Sequence, residues 1–117
     1  MALDLKGKVA FITGGAAGLG LSMARAFGKE GMKVMLADID EKTLASAKAD
    51  LEARQVPVST VVCDVTDRNS LKSAALKTIA DFGKVHVVCN NAGVAVGGTW
   101  DTVRDKDWDW IIDVNLK

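Results

Sequence analysis

Short apolar runs alternate along the chain with longer stretches in which apolar residues recur at helical spacing. The apolar runs are rich in valine and apolar on both faces, which is typical of strands buried in a parallel sheet. Each run follows a glycine or proline or precedes a glycine-rich turn, so its limits are well marked. The pattern therefore predicts four strands, over residues 9–12, 33–37, 58–63 and 85–89.

The stretches between these runs predict three amphipathic helices. Asp40 is a plausible N-cap for the second helix, and Thr66 or Asp67 for the third, which should end near Gly83. We expect the buried faces to consist of Gly20, Met23, Ala24 and Phe27 in the first helix, Leu44, Ala47 and Leu51 in the second, and Leu71, Ala75, Ile79 and Phe82 in the third.

The order β-α-β-α-β-α-β predicts an α/β fold with a Rossmann-type, doubly wound parallel sheet. Right-handed crossovers lead us to expect the strand order 3-2-1-4. Residues 106–117 also have a helical pattern, which is still running where the sequence stops. We therefore expect residues 1–117 to be the N-terminal part of a single Rossmann-fold domain, truncated after the fourth strand and into the following helix.

The composition excludes several classes of protein. The 117 residues include 15 Lys and Arg and 15 Asp and Glu, so the formal net charge is zero and nothing favours nucleic-acid binding. No stretch approaches the roughly 20 apolar residues that are needed to cross a bilayer. The first residues lack the apolar core of a secretory signal. We expect a cytoplasmic protein that binds neither nucleic acid nor membrane.

Two cysteines, Cys63 and Cys89, close the third and fourth apolar runs. In the expected strand order these strands lie three steps of about 4.8 Å apart, well beyond the ~7 Å limit for a disulfide. We therefore expect two free thiols, as is usual in a reducing compartment.

The turn after the first strand, TGGAAGLG at residues 13–20, has the features of a phosphate-binding turn. A pyrophosphate needs backbone N–H groups at close range and the positive end of a helix dipole. Gly14 would permit the tight turn, Gly18 would admit the phosphate and Gly20 would let the helix pack on the strand, with Leu19 also at the cofactor. Such turns also occur for steric reasons alone, but a place between strand and helix favours phosphate binding.

The second strand ends in Asp38, 18 residues beyond Gly20, which is close to the spacing of about 20 residues typical of dinucleotide-binding folds. A carboxylate there can accept hydrogen bonds from both hydroxyls of an adenosine ribose, and it would repel a 2′-phosphate. Neither Ala17 nor Ile39 is basic, so neither could neutralise that phosphate. The sequence therefore predicts NAD(H) rather than NADP(H), held by Asp38 and Ile39. Asp38 could alternatively be a helix N-cap, but Asp40 suits that position better.

Taken together, these residues resemble the classical short-chain dehydrogenases/reductases. The spacing TGxxxGxG is similar to the glycine motif of that family. Asp64 and Val65, after the third strand, resemble its adenine-contacting pair, and Asn115 stands where the family keeps an active-site asparagine. The family's NNAG motif matches the residues after the fourth strand, which are Asn90, Asn91, Ala92 and Gly93.

The resemblance implies roles for these residues. Asp64 would bond the adenine amino group, Val65 would lie beside the ring, and the NNAG turn would contact the cofactor and steady the central strand. Ordinary turn chemistry is an alternative for Asn90 and Asn91, and both can hold. His86 stands where the family usually has aspartate. It begins the fourth strand, away from the ligand crevice, so we do not expect it to be catalytic.

The resemblance also implies a reaction, hydride transfer between NAD(H) and an alcohol or carbonyl substrate. The family moves the accompanying proton with a tyrosine, and this sequence contains no tyrosine. Asn115 would be the only catalytic residue present, unless it is simply a solvated polar residue. We expect the complete protein to be an NAD-dependent oxidoreductase and a homodimer or homotetramer, and this chain alone to be inactive. The alternatives are a non-catalytic dinucleotide-binding module and an S-adenosylmethionine-dependent methyltransferase.

Overall fold

The computed structural model of the chain describes residues 4–91. The elements alternate as predicted, and the region of the predicted helix over residues 106–117 lies outside the described residues. No helix within residues 4–91 is long and apolar enough to span a bilayer. The elements are β1 (Val9–Thr13), α1 (Gly18–Lys29), β2 (Lys33–Asp38), α2 (Glu41–Ala53), β3 (Val58–Val62), α3 (Arg68–Phe82) and β4 (Val87–Asn90).

The four strands form one parallel sheet in the order β3-β2-β1-β4, which confirms the predicted topology. β1 is central, with β2 on one side and β4 on the other. At the carboxyl end of β1, Thr13 lies opposite Ala37 of β2 and Asn90 of β4. Because the strands are parallel, their carboxyl ends meet at one edge of the sheet, where ligands of such folds bind.

The helix ends follow from local hydrogen bonding. Asp40 caps α2 and Asp67 caps α3, and each carboxylate accepts hydrogen bonds from two backbone N–H groups of the first turn. Asp67, rather than the alternative Thr66, is therefore the cap of the third helix. Gly83 ends α3 in the left-handed conformation, at φ 85°. These residues set the limits of the helices as the sequence indicated.

Apolar clusters cover both faces of the sheet, because successive residues of a strand point to opposite sides. Ile12 and Leu36 pack with α1 and α2 on one face, and Phe11 and Met35 lie in the cluster on the α3 face. All four side chains are at least 98% buried. Shortening such a leucine to alanine typically costs about 2–5 kcal/mol.

The buried face of α3 differs from the predicted one. Ala75 is buried as expected, but the other fully buried positions are Ala74 and Thr78, while Leu71 and Phe82 are only partly buried. The small side chains of α3 allow it to approach the sheet closely. Burial of the polar Thr78 is possible because its hydroxyl donates to the carbonyl of Ala74 at 2.8 Å.

The limits of the strands differ by one or two residues from those of the apolar runs that predicted them. Val85 was expected to start the fourth strand, but it packs in the core on the α3 face before the strand begins at Val87. Cys63 lies just beyond β3 and is also buried in that cluster. Both cysteines are free, as predicted, and Cys89 packs toward the opposite face of the sheet.

His86 joins the starts of β1 and β4. The N–H of Val9 donates to Nδ1 of His86 at 3.0 Å, and the N–H of His86 donates to the carbonyl of Val9 at 2.9 Å. Burial, with the positive charges of Lys8 and Lys84, holds the pKa of His86 below its usual value. This residue lies at the amino edge of the sheet, where its hydrogen bonds join the two strands.

We predict that His86 makes the fold sensitive to acid. Its pKa is lower in the folded chain than the ~6.5 of the unfolded chain, so the unfolded state binds more protons as the pH falls. Its contribution to stability is present above about pH 6.5 and is lost as the pH falls toward the folded pKa. The midpoint of urea unfolding should therefore decrease as the pH is lowered from about 7.5 to 5.5.

The variant His86→Asn supplies a side-chain oxygen for the N–H of Val9 and does not titrate. Since the sequence contains one histidine, this variant should flatten the decrease between these pH values. An equal decrease in both proteins would assign the acid sensitivity to other groups.

Candidate functional site

The glycine turn between β1 and α1 is held from both neighbouring strands. On one side the N–H of Gly15 donates to the carbonyl of Ala37, at the end of β2, at 3.3 Å. On the other side the side-chain amide of Asn91, just past β4, donates to the carbonyl of Gly14 at 3.2 Å. The turn is therefore fixed at the carboxyl edge of the sheet.

A further hydrogen bond connects the ends of β1 and β4. The hydroxyl of Thr13, a residue that is 97% buried, donates to Oδ1 of Asn90 at 2.9 Å. A buried hydroxyl without a partner would be destabilising, so this bond satisfies the side chain and aligns the two strands. Asn90 and Asn91 thus both bond across to β1 and its turn, rather than to local backbone as ordinary turn chemistry would require.

Gly20 is required by a close approach within the turn. A Cβ at this position would overlap the carbonyl oxygen of Gly14 and would lie 3.0 Å from the side-chain nitrogen of Asn91. The sequence predicted that Gly20 lets the helix pack on the strand. The structure shows that the contact is instead with the turn itself and with the residue after β4.

Gly18, at the start of α1, is required by its backbone conformation. Its φ is +56°, in the left-handed region, whereas a Cβ there would meet nothing within 4 Å. Nothing else within residues 4–91 fills that space. The glycine therefore leaves the first turn of α1 open on its outer side.

The amino end of α1 also lacks a side-chain cap. Its N-cap residue is Ala17, which makes no side-chain hydrogen bond, and its first turn has no acidic residue. The first N–H groups of a helix have no partner within the helix, and together with the helix dipole they attract anions. Of the three helices in residues 4–91, α1 alone presents these groups uncapped, since α2 and α3 are capped by aspartates.

Asp38 closes the other side of the turn. Its Oδ2 accepts a hydrogen bond from the N–H of Ala16 at 3.2 Å, and its Oδ1 accepts one from the N–H of Ile39 at 2.7 Å. Asp40 caps α2, so the alternative role of Asp38 as an N-cap is excluded. A carboxylate oxygen can accept two hydrogen bonds, so each oxygen of Asp38 can accept one more.

A cleft of about 330 Å³ lies beside the turn at the ends of β2 and β3. Its lining contains two carboxylates and no basic residue, and Ile39 at its rim is 67% exposed. Burial raises the pKa of the Cys63 thiol in its wall, so that residue stays uncharged. The lining residues are Gly14, Ala37, Asp38, Ile39, Cys63, Asp64, Val65 and Thr66.

The carboxyl edge of the sheet brings together most of the residues that the sequence singled out. Gly14, Asp38, Ile39, Asp64 and Val65 all line the cleft. Gly18, Leu19 and Gly20 form the first turn of α1, beside it, with Leu19 67% exposed. Ala92, Gly93 and Asn115 lie outside the described residues. The role of each of these residues toward a ligand stays a prediction.

Sequence reasoning missed several residues that shape this edge. Thr66 was considered only as a helix start, and Ser70 was not singled out, yet both bond to Asp64. The spacing Asp-x-Thr after a strand is a signal that could have indicated the first of these bonds. The bond from Ala16 to Asp38 has no such signal, because it joins residues of different elements. No group of three or more metal-binding side chains occurs within residues 4–91.

Comparison with known proteins gives consistent matches. The short chain dehydrogenase family matches residues 8–117. A 3-oxoacyl-(acyl-carrier-protein) reductase of Thermotoga maritima is 36% identical over 98% of this chain and 47% of its own length. The LigO apo form from Sphingobium sp. strain SYK-6 has 38% identity and a TM-score of 0.76, over 97% of this chain and 42% of that chain.

A further solved structure was obtained with a bound cofactor. It is a short chain dehydrogenase/reductase from Burkholderia phymatum in complex with NAD, with 30% identity and a TM-score of 0.72. The match covers 97% of this chain and 40% of that one. The chain thus spans less than half the length of each of these three proteins.

We predict that Gly18→Ala weakens the binding of NADH more than it weakens folding. The added methyl group would stand at the open amino end of α1, where a pyrophosphate would approach. The left-handed backbone should cost about 1–2 kcal/mol of stability in any case. Fluorescence titration with NADH, beside urea unfolding, measures the two effects separately.

Gly83→Ala is the matched control. Gly83 also has a positive φ and open space at its Cβ position, but it lies at the end of α3, away from the turn. It should lose similar stability and keep its affinity for NADH. Equal affinities of the two variants would mean that Gly18 serves the backbone alone.

Proposed function

The chain belongs to the short-chain dehydrogenase family, and we propose that it supplies the dinucleotide-binding half of an NAD(H)-dependent oxidoreductase. The complete protein would interconvert an alcohol and a carbonyl by hydride transfer. The observation that carries this proposal is the pairing of an uncapped helix start at Gly18 with the carboxylate of Asp38 across the same turn. The first suits a pyrophosphate, and the second suits the hydroxyls of a ribose.

The groups of the site fit the parts of a dinucleotide. The backbone N–H groups at the start of α1 would hold the pyrophosphate. Asp38 keeps an acceptor position free on each oxygen for the ribose hydroxyls. Ile39 and Val65 offer apolar surface for the adenine, and Asp64 an acceptor. The cofactor would accept the hydride when an alcohol is oxidised and donate it when a carbonyl is reduced, while these residues would bind and orient the cofactor.

The charge of the cleft supports NAD(H) over NADP(H). Asp38 and Asp64 line it, and none of its lining residues is basic. A 2′-phosphate next to Asp38 would meet a like charge with no cation to compensate it. Neither Ala17 nor Ile39, the neighbours that could carry such a cation, is basic.

The substrate would be a small alcohol or carbonyl compound, and we propose that the complete protein is a cytoplasmic homodimer or homotetramer. In the family a tyrosine transfers the substrate proton, and the 117 residues contain none. Asn115 would take part in the proton relay of the complete protein. The lack of a tyrosine also fits a second candidate, a non-catalytic dinucleotide-binding module. A methyltransferase is disfavoured by the family match over residues 8–117.

We predict that Asp38→Asn combined with Ile39→Arg shifts the preference toward NADP(H). The asparagine removes the charge and keeps an oxygen for the N–H of Ala16, and the arginine can pair with the 2′-phosphate. The ratio of the two dissociation constants should change by roughly 10- to 100-fold, which corresponds to about 1–3 kcal/mol. Calorimetric titration with both cofactors measures it.

The double variant Asp38→Ala with Ile39→Arg serves as the control. It also loses the bond to Ala16, so we expect it to bind both cofactors more weakly. If the unmodified chain binds NAD and NADP equally well, the assignment of Asp38 as the discriminating residue is wrong.

We also predict that the 117-residue chain has no dehydrogenase or reductase activity. Loss of a positioned acid or base alone typically slows a reaction by roughly 10²- to 10⁴-fold. NADH formation with a panel of secondary alcohols, followed by absorbance at saturating NAD, is the measurement. Robust turnover would show that another residue carries the proton. NADH binding without turnover, in a protein that extends beyond residue 117 and has the missing tyrosine, would favour the non-catalytic module.

A further inference from the structure

Asp64 is held by its side chain and by its backbone. Its Oδ1 accepts two hydrogen bonds from Thr66, one from the backbone N–H at 2.9 Å and one from the hydroxyl at 2.6 Å. Its own N–H donates to the hydroxyl oxygen of Ser70, in the first turn of α3, at 2.9 Å. Both the position and the rotation of the carboxylate are therefore set by neighbouring residues.

The two oxygens of Asp64 are not equivalent as a result. Oδ1 has used its two acceptor positions on Thr66. Oδ2 has no hydrogen-bond partner within residues 4–91. Asp64 lines the cleft together with Val65. The bonds from Thr66 also hold the pKa of Asp64 below its usual value, so the group stays ionised and accepts hydrogen bonds only.

We propose that Thr66 is a positioning residue that presents Oδ2 of Asp64 to the purine, and that this arrangement selects a 6-amino purine over a 6-oxo purine. The proposal rests on the dinucleotide binding proposed above. An adenine amino group donates to the carboxylate. The 6-oxo group of hypoxanthine would place one acceptor against another, which leaves both without a partner and is strongly disfavoured in a cleft.

Because Thr66 is exposed, a substitution there can test its effect on Asp64 without disturbing the fold. Its side chain is at the surface, and the cap of α3 is the next residue, Asp67. Replacing the hydroxyl should therefore leave α3 capped and the sheet intact. What it removes is the shorter of the two bonds that fix Oδ1, so the carboxylate can rotate and Oδ2 is no longer held at the purine.

The test compares the dissociation constants of NAD and nicotinamide hypoxanthine dinucleotide by calorimetric titration of the same chain. Thr66→Val removes the hydroxyl with little change of shape. It should weaken NAD binding by roughly tenfold, in the range for a hydrogen bond to a charged group, and leave the hypoxanthine dinucleotide unchanged. Thr66→Ser keeps the hydroxyl and should restore the preference for NAD.

Thr43→Val is the matched control, because the hydroxyl of Thr43 makes the corresponding bond to Asp40 outside the cleft lining. It should bind both dinucleotides as the unmodified chain does. Thr66→Ala gives the same comparison if the valine variant does not fold.

Three outcomes would overturn the proposal, and they separate it from the proposed function. Equal weakening of both dinucleotides in Thr66→Val would assign Thr66 a purely structural role, and an unchanged affinity for NAD would assign it none. In either case NAD binding by the unmodified chain would still stand. Failure of the unmodified chain to bind NAD would overturn both.

Discussion

The carbonyl of Gly14 occupies the space that a side chain at residue 20 would need, and the rest of the site depends on that contact. It brings the start of α1 directly onto the turn after β1. The same carbonyl accepts the side-chain amide of Asn91, which ties the turn to the end of β4. A glycine at position 20 is therefore the condition for three elements to meet at one edge of the sheet, and an alanine there would force them apart.

The carboxyl edge of the sheet carries two kinds of polar group in different places. Backbone N–H groups are concentrated at the uncapped start of α1, and carboxylates stand at the ends of β2 and just beyond β3. Asp38 lines the cleft and also stabilises the turn, because one of its oxygens accepts a hydrogen bond from the N–H of Ala16. Removing this side chain would disturb the turn as well as the proposed ribose contact. A substitution that keeps an oxygen is needed to separate the two.

The strands and their order were predicted well from the sequence. Apolar runs mark buried strands, and the right-handedness of crossover connections leaves few possible strand orders. The sequence predicted the buried face of α3 less well, since Ala74 and Thr78 are buried through close packing and a local hydrogen bond rather than through large apolar side chains. Hydrogen bonds between residues that are distant in sequence, such as the bond from Val9 to His86, could not be predicted. Such a bond depends on strand register, which the apolar pattern fixes only to within a residue or two.

Neither Cys63 nor His86 is suited to transfer a proton at the carboxyl edge of the sheet. Burial raises the pKa of the Cys63 thiol, which keeps it protonated. His86 precedes β4, and four residues of strand put it about 13 Å from the edge that carries the glycine turn. Its Nδ1 is also engaged by the N–H of Val9. Within residues 4–91 the groups left at the carboxyl edge of the sheet are therefore backbone N–H groups and carboxylates, which are the groups that the proposed dinucleotide would need.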